Sequence, residues 1–329
     1  DGSVLAVYCR HSTEKVHYAR ISDPRDFSKW GPERVIRHGE FLQGRDNATY
    51  MNLYKLGDTL YNFYRGYGFN PCFHTSPDDG LTWGNDTHFI ESEVPGRQRP
   101  YPRYTSDGRD TLHITFTDAH PRNFGNSIYY AAFRDGKFFR ANGGLIKDLA
   151  VDGPLKPSEA QLVFKGSGKT GSGKGRSAAR SAWTSSIALD HEGQPHLAYS
   201  LHLSNTDHRY RIASWDGKQW IDREVAYAGK CLYDRESSYT GLITLDPLDP
   251  SIVVISTDVD PTDGKDGGKH EIYRAQVGLS DDISSIEWEA VTQNSPVRNI
   301  RPMILRAGNQ RVVLWNRGDF VTYTNYQLD

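Results

Sequence analysis

The sequence predicts an all-β fold, a seven-bladed β-propeller built from the whole 329-residue chain as one domain. Three observations lead there: a composition suited to short strands and turns, a β-rich run that recurs along the chain, and a hairpin motif that fits a propeller blade. Aromatic residues make up 12% of the chain, with 19 Tyr, 7 Trp and 31 Gly, while hydrophobic residues reach only 37% and mean hydropathy is −0.65. Aromatic residues suit pleated, half-buried strands and Gly suits turns; a doubly wound α/β enzyme is expected to be more apolar. No apolar run is long enough for a membrane-spanning helix.

The recurring run appears as Val4-Leu5-Ala6-Val7-Tyr8, Thr59-Leu60-Tyr61-Asn62-Phe63-Tyr64, Thr111-Leu112-His113-Ile114-Thr115-Phe116, His196-Leu197-Ala198-Tyr199, Ile252-Val253-Val254-Ile255 and Val312-Val313-Leu314-Trp315. Most starts are about 50 to 60 residues apart, the period of a four-stranded blade with generous loops. The third gap is longer and holds an insertion. Six units are visible, and the two chain ends are expected to complete a seventh. The hairpin motif is Ser76-Pro77-Asp78-Asp79-Gly80-Leu81-Thr82-Trp83, which matches the Asp-box S-x-D-x-G-x-T-W at every defined position. In such a turn Asp accepts backbone N–H bonds, Gly takes positive φ and Trp packs beneath. Looser copies occur at Ser214-Trp215-Asp216-Gly217 before Trp220 and at Ser280-Asp281-Asp282 before Trp288. The motif argues for a fold and not for a reaction.

Two features invite other readings. Gly168 through Lys174 fits most of a phosphate-binding loop, but Gly175 stands where Ser or Thr should bind Mg²⁺ and no helix pattern follows. Residues 165–182 read instead as a flexible Gly/Ser/Lys-rich loop whose Lys165, Lys169, Lys174, Arg176 and Arg180 could reach a polyanion. Cys9, Cys72 and Cys231 are odd in number and hold no C-x-x-C pair. A zinc site at Cys231 is conceivable, but buried free thiols are expected. The net charge is −2, so an acidic ligand must be held by a local cluster of cations.

Candidate chemistry gathers in polar clusters beside the expected strands: Asp118-Ala119-His120-Pro121-Arg122 with Asn126; Tyr199 with His202, His208, Tyr210 and Arg211; His270-Glu271-Ile272-Tyr273-Arg274; and Asn299-Ile300-Arg301 with Arg317. Smaller candidates are His11 and Arg65. In a propeller the innermost strands of successive blades line one channel, so these residues can meet there.

The stretch His120-Pro121-Arg122, followed by Asn126-Ser127-Ile128-Tyr129-Tyr130, resembles the BNR-repeat group that contains ulvan lyases and L-rhamnose-α-1,4-D-glucuronate lyases. The segments around Arg209-Tyr210-Arg211, Tyr239-Thr240-Gly241 and Arg298-Asn299-Ile300-Arg301 share the likeness, which runs from about residue 50 to the end. A related rhamnosidase family has the same propeller. The resemblance implies β-elimination at a 4-linked uronate in an acidic polysaccharide such as ulvan. That reaction needs Arg to neutralise the uronate carboxylate, and a base and an acid such as His and Tyr. By resemblance His120, Tyr199, Arg211 and Arg274 are the catalytic set, while His11, Arg65, Arg99, Asn126, His208 and Arg301, read as polar residues beside the strands, are expected to contact substrate. The family's earlier histidine is missing here, where the chain reads Arg97-Gln98-Arg99-Pro100-Tyr101. Either Tyr199 serves as base and acid with His120 in support, or His208 or His11 contributes, and Arg99 could fill the missing histidine's space. A glycoside hydrolase of the rhamnosidase type is the alternative, with Asp118 paired to Glu271 or Asp246, and a non-catalytic carbohydrate-binding propeller is the third reading. The lyase needs no cofactor and is assigned no metal, with a structural ion left open. Its expected partner is an acidic polysaccharide, neither nucleic acid nor membrane, and the protein is expected to be a secreted or periplasmic monomer.

Overall fold

A computed structural model describes residues 2–171 and 178–329. Six antiparallel sheets follow one another in chain order, the blades of a β-propeller. The first contains Leu5–Tyr8, Val16–Ile21 and Arg34–Arg37, and the second Thr49–Leu56, Thr59–Arg65, Pro71–Ser76 and Gly84–His88. The third runs from Arg103–Ser106 through Leu112–Thr117, Ile128–Arg134 and Lys137–Phe139 to Leu145–Asp148, with Gln161–Phe164 also paired to Ile128–Arg134. The fourth holds Ser181–Leu189, Pro195–Ser204, Asp207–Trp215 and Trp220–Gly229. The fifth holds Ile243–Leu245, Ile252–Val259, Asp266–Gln276 and Glu289–Ala290, and the sixth Arg298–Ala307, Gln310–Thr322 and Asn325–Leu328. Among the described residues the only α-helix is the single turn Leu149–Asp152, and no helix is long and apolar enough to cross a membrane.

The six recurring runs each fall in a different sheet. Leu5–Tyr8 pairs with Val16–Ile21 and Asn325–Leu328 with Gln310–Thr322, so the chain ends belong to different sheets. The seventh blade expected from the joined ends is therefore not among the described sheets. Each end strand already has its hydrogen-bonding partner in its own meander.

The core lies between blades. Phe63, Phe89, Phe116 and Phe133 join the second and third sheets, and Ile128, Ile187, Leu197 and Tyr199 the third and fourth. Ile212, Val225, Val253 and Ile255 join the fourth and fifth, and Val254, Ile272 and Ile304 the fifth and sixth. Strands inside this stack are apolar on both faces: all but the last residue of Ile128–Arg134 are buried.

The Asp-box forms the expected turn. Asp78 accepts from the Thr82 backbone N–H at 2.7 Å and from its hydroxyl at 2.6 Å, and Trp83 Nε1 donates to the Gly80 carbonyl at 3.1 Å. Gly80 has φ +89°, and a Cβ there would meet Leu5 Cδ2 at 2.5 Å, so the turn is pressed against the first blade. Arg34 ties the same blades by donating to the Gly80 and Leu81 carbonyls.

The 165–182 segment is more ordered than a flexible loop over its first part. Gly168 N–H donates to the Gly125 carbonyl, Gly125 N–H to that of Lys169 and Gly171 N–H to that of Asn123. Gly166 packs so closely that a Cβ would lie 2.1 Å from the Asn126 carbonyl oxygen. These contacts brace the loop after His120. The phosphate-loop pattern and the cations Lys174 and Arg176 fall partly or wholly in residues 172–177, outside the described residues. All three cysteines are free thiols, Cys72 and Cys231 buried, and burial pushes the Cys231 thiol up to about 11.

Candidate functional site

The first strands of successive sheets line a cavity of about 350 Å³. The second blade contributes Tyr50 and Asn52, the third Arg103, the fourth Trp183 and Thr184, and the sixth Arg301. Tyr101, Tyr239 and Leu242, from the segments just before such strands, complete much of the wall, and Arg65 enters from the end of Thr59–Arg65.

The backbone is bent to aim these side chains. Tyr50, Leu242 and Arg301 have φ of 63°, 77° and 57°, a region that L-residues avoid. The pairing register shifts between Thr49 and Asn52, between Thr184 and Ser186 and between Ile300 and Met303. Bulges of this kind re-aim a side chain, and strained φ persists only where surrounding structure enforces it, often at functional sites.

An aromatic arc runs around the cavity. His11 and Tyr50 rings lie 5.3 Å apart, Tyr50 and Tyr101 6.2 Å, Tyr101 and Trp183 5.3 Å, and Trp183 and Tyr239 5.1 Å. His11 Nε2 is 3.0 Å from the Tyr50 hydroxyl, and the Arg65 guanidinium sits 4.7 Å over the Tyr50 ring. His120 packs edge-on to Tyr101 at 5.2 Å and lies 5.8 Å from Trp183.

Cations gather here without carboxylate partners. Among the described residues Arg65, Arg99, Arg103 and Arg301 take part in no ion pair, whereas Arg97, Arg122, Arg209, Arg211, Arg274, Arg306 and Arg311 all do. Arg65 is only 6% exposed and donates one bond, to Ser12 Oγ at 2.6 Å, leaving its buried Nε and Nη1 unpaired. Arg99 Nε is likewise buried and unpaired. Among the described residues no Asp or Glu lines the cavity. The nearby carboxylate of Glu236 is tied to Arg122.

Burial, then the charges of Arg122, Arg99 and Arg65, pulls His120 well below the usual imidazole value. Its Nδ1 accepts from the Arg122 backbone N–H at 3.1 Å, so the neutral ring carries its proton on Nε2. Burial, then Arg65 and Arg99, lowers His11 as well. Burial, then Glu236, holds the Tyr239 phenol up at about 12, and burial raises Tyr101 also. The site thus offers neutral imidazoles, phenols and unpaired guanidiniums.

Of the sequence candidates, the structure brings together His11, Arg65, Arg99, His120 and Arg301. Asn126 supports this group from behind: its side chain accepts from Ala119 N–H at 3.0 Å and donates to the Ala119 carbonyl at 2.8 Å, holding the His120 loop.

Tyr199, Arg211, His208 and Arg274 are elsewhere. Tyr199 is 1% exposed between the third and fourth blades and donates to Asp222 Oδ1 at 2.7 Å. Arg211 donates to the Tyr199 hydroxyl at 3.1 Å and pairs with Asp222. Burial, then Asp222, raises this phenol far above its ordinary value, the opposite of what a base needs. His208 faces the Gly229 and Ser237 carbonyl oxygens at 3.2 and 2.7 Å, and burial lowers it to about 4. Arg274 pairs with Glu289 on the outermost strand of the fifth blade. The proposed carboxylate pair is also absent. Asp118 accepts from Ser127 N–H and Tyr129, Glu271 binds Thr292, Ser295 and Asn299, and Asp246 is clamped by Arg306 and Arg311. Sequence reasoning missed Tyr50, Tyr101, Arg103, Trp183 and Tyr239. The usable signal was their place at the start of each blade's first strand.

In solved structures the fold is close to that of an ulvan lyase of polysaccharide lyase family 25, bound to -[GlcA(1-4)Rha3S]- (TM-score 0.61, 14% identity, covering 96% of this chain and 73% of that one). Polysaccharide lyase Uly1 is similar at TM-score 0.58 and 12% identity, covering 97% and 72%. An α-L-arabinofuranosidase of glycoside hydrolase family 93 from Fusarium graminearum, with arabinobiose, follows at TM-score 0.53 and 14% identity, covering 99% and 88%. At these identities the likeness is one of fold. No curated protein sequence matches this chain. The model of the BNR repeat-containing family matches residues 1–228, more than half of the sequence, and the chain belongs to that family.

Proposed function

We propose that the chain is a polysaccharide lyase that binds an acidic, uronate-containing polysaccharide in the central cavity and cleaves it by β-elimination. The observation that carries this reading is the set of unpaired guanidiniums around Tyr50 and His120, in a cavity with no carboxylate among the described residues and a chain of net charge −2. Hydrolysis of glycosides ordinarily uses two carboxylates. Elimination instead needs the substrate's own carboxylate to be neutralised, and Arg65, with Arg301 and Arg103, is placed to do it. That neutralisation stabilises the charge that develops as the C5 proton leaves.

In this reading Tyr50 is the base. Its hydroxyl lies 3.0 Å from His11 Nε2, and the Arg65 guanidinium sits 4.7 Å over its ring. The Tyr50 oxygen takes the C5 proton as its own proton passes to His11 Nε2, the C4=C5 double bond forms and the C4–O4 bond breaks. Tyr239, kept protonated by its surroundings, supplies the proton to the departing O4. His120 donates from Nε2 to the sugar, and Trp183 and Tyr101 provide apolar faces for the rings. One chain supplies every residue invoked, so a monomer suffices. A polymeric acidic substrate places the protein outside the cell or in the periplasm. Ulvan and rhamnose-glucuronate linkages are the substrates first tested, because structures of similar fold include an ulvan lyase with that repeat bound. Incubation with ulvan should raise ultraviolet absorbance as a conjugated double bond forms. Release of reducing ends without absorbance would contradict the lyase.

A further inference from the structure

The seam between the first and second blades is packed unlike the others. Apolar clusters fill the later seams, but here three imidazoles meet: His17 in Val16–Ile21, His38 just after Arg34–Arg37 and His74 in Pro71–Ser76. All three are at most 1% exposed. Each offers one ring nitrogen, and the three atoms lie within 4.8 Å of one another. His17 Nδ1 and His38 Nε2 are 3.2 Å apart, close to the ligand–ligand edge of a tetrahedral site with metal–nitrogen bonds of about 2.0–2.1 Å.

The surroundings fit a ligand set. His38 Nδ1–H donates to Asp86 Oδ1 at 2.9 Å, which leaves the Nε2 lone pair facing the cluster. Asp86 Oδ1 also accepts from the Tyr64 hydroxyl at 2.7 Å. A carboxylate behind a histidine fixes the tautomer and raises the basicity of the coordinating nitrogen. Asn62 Nδ2 lies 3.0 Å from His74 Nε2, and Trp83 stacks on the His74 ring at 4.5 Å, so that ring is held in place.

With Nδ1 as the ligand atom, His17 carries its proton on Nε2, which is buried and has no hydrogen-bond partner among the described residues. Bonds within the cluster therefore leave an expensive polar atom unmet.

We propose that His17, His38 and His74 bind a divalent transition-metal ion of the zinc class, which clips the first blade to the second. Three imidazoles suit Zn²⁺, Cu²⁺ or Ni²⁺, whereas Mg²⁺ and Ca²⁺ favour oxygen. The triplet does not line the cavity. The ion is structural, and its presence is independent of the reaction proposed above.

The test is a Co²⁺ titration of chelator-treated, folded protein, followed by Zn²⁺. The proposal expects about one equivalent, with the visible absorption of tetrahedral nitrogen ligation, displaced by Zn²⁺. Saturating Zn²⁺ should raise the melting temperature of the wild type. Asp86→Asn should weaken binding about 10- to 100-fold. His74→Gln, which keeps a polar side chain beside Asn62, should bind far more weakly than Asp86→Asn. Uptake below about a tenth of an equivalent by the wild type, or wild-type affinity in folded His74→Gln, overturns the site. Should the variants fail to fold, the wild-type titration alone decides.

Discussion

Replacing Arg65 by Met removes a guanidinium whose Nε and Nη1 are buried with no partner, and leaves most of its packing volume against Tyr50 and Phe69. Among the described residues the only side-chain hydrogen bond lost is the one to Ser12 Oγ. The guanidinium, 6% exposed at the cavity wall, offers a substrate carboxylate a charge-assisted contact of about 1.5–3 kcal/mol. At about 1.4 kcal/mol per tenfold, kcat/KM should fall by roughly 10- to 10²-fold. KM should rise because the carboxylate is charged in the ground state, and kcat should fall because its charge grows as the proton leaves. Stability should move the other way or not at all, because an uncompensated buried cation is removed. The assay pairs initial rates of ultraviolet absorbance on a uronate polysaccharide with thermal melts of the same samples. Activity within about threefold of wild type would refute the role of Arg65. So would a melting temperature lowered by several degrees, which marks a structural arginine.

Tyr50→Phe should lower kcat about 10²-fold or more with KM little changed, because a group that only moves protons acts mainly in the transition state; steady-state kinetics checks the split. Tyr199→Phe should retain kcat and lose stability by about 1–3 kcal/mol, since it strips the half-buried Asp222 carboxylate of a donor, and denaturant unfolding with an activity assay reads both. Acid should destabilise the fold through His113, His208 and His270, which burial lowers to about 4, 4 and 3. Because their folded values lie below the unfolded ~6.5, the unfolded chain binds more protons in that window. Stability is then full above about pH 6.5 and falls below it by up to about 1.4 kcal/mol per histidine per pH unit, so melting temperatures flat from pH 7.5 to 5 would contradict the burial of these rings.

The fold was legible because propeller blades repeat: each recurring β-run falls in its own sheet, and the Asp-box turn has the bonds its residues imply. The site was legible only at its rim. In the second to sixth blades the recurring run is the second strand, one place out from the channel: Thr59–Arg65, Leu112–Thr117, Pro195–Ser204, Ile252–Val259 and Gln310–Thr322. Residues at or just beyond the ends of those strands, Arg65 and His120, reach the cavity region. Tyr199 sits in the middle of its strand and is buried between blades, and Arg211 is one strand further out. The first strands that line the channel carry weaker patterns, because bulges and positive φ at Tyr50 and Arg301 break the alternation that a periodicity search uses. The histidine triplet was invisible for another reason. His17, His38 and His74 are spaced unlike any short ligand motif and meet only when two blades pack.

The most direct test of the central claim counts double bonds against new reducing ends when the purified protein degrades a uronate-containing polysaccharide. The account predicts about one conjugated double bond for every chain end released, with both signals falling together in Arg65→Met. New chain ends without double bonds would make the protein a hydrolase and contradict the account, and neither signal from a folded protein that still binds the polymer would leave it a binding propeller.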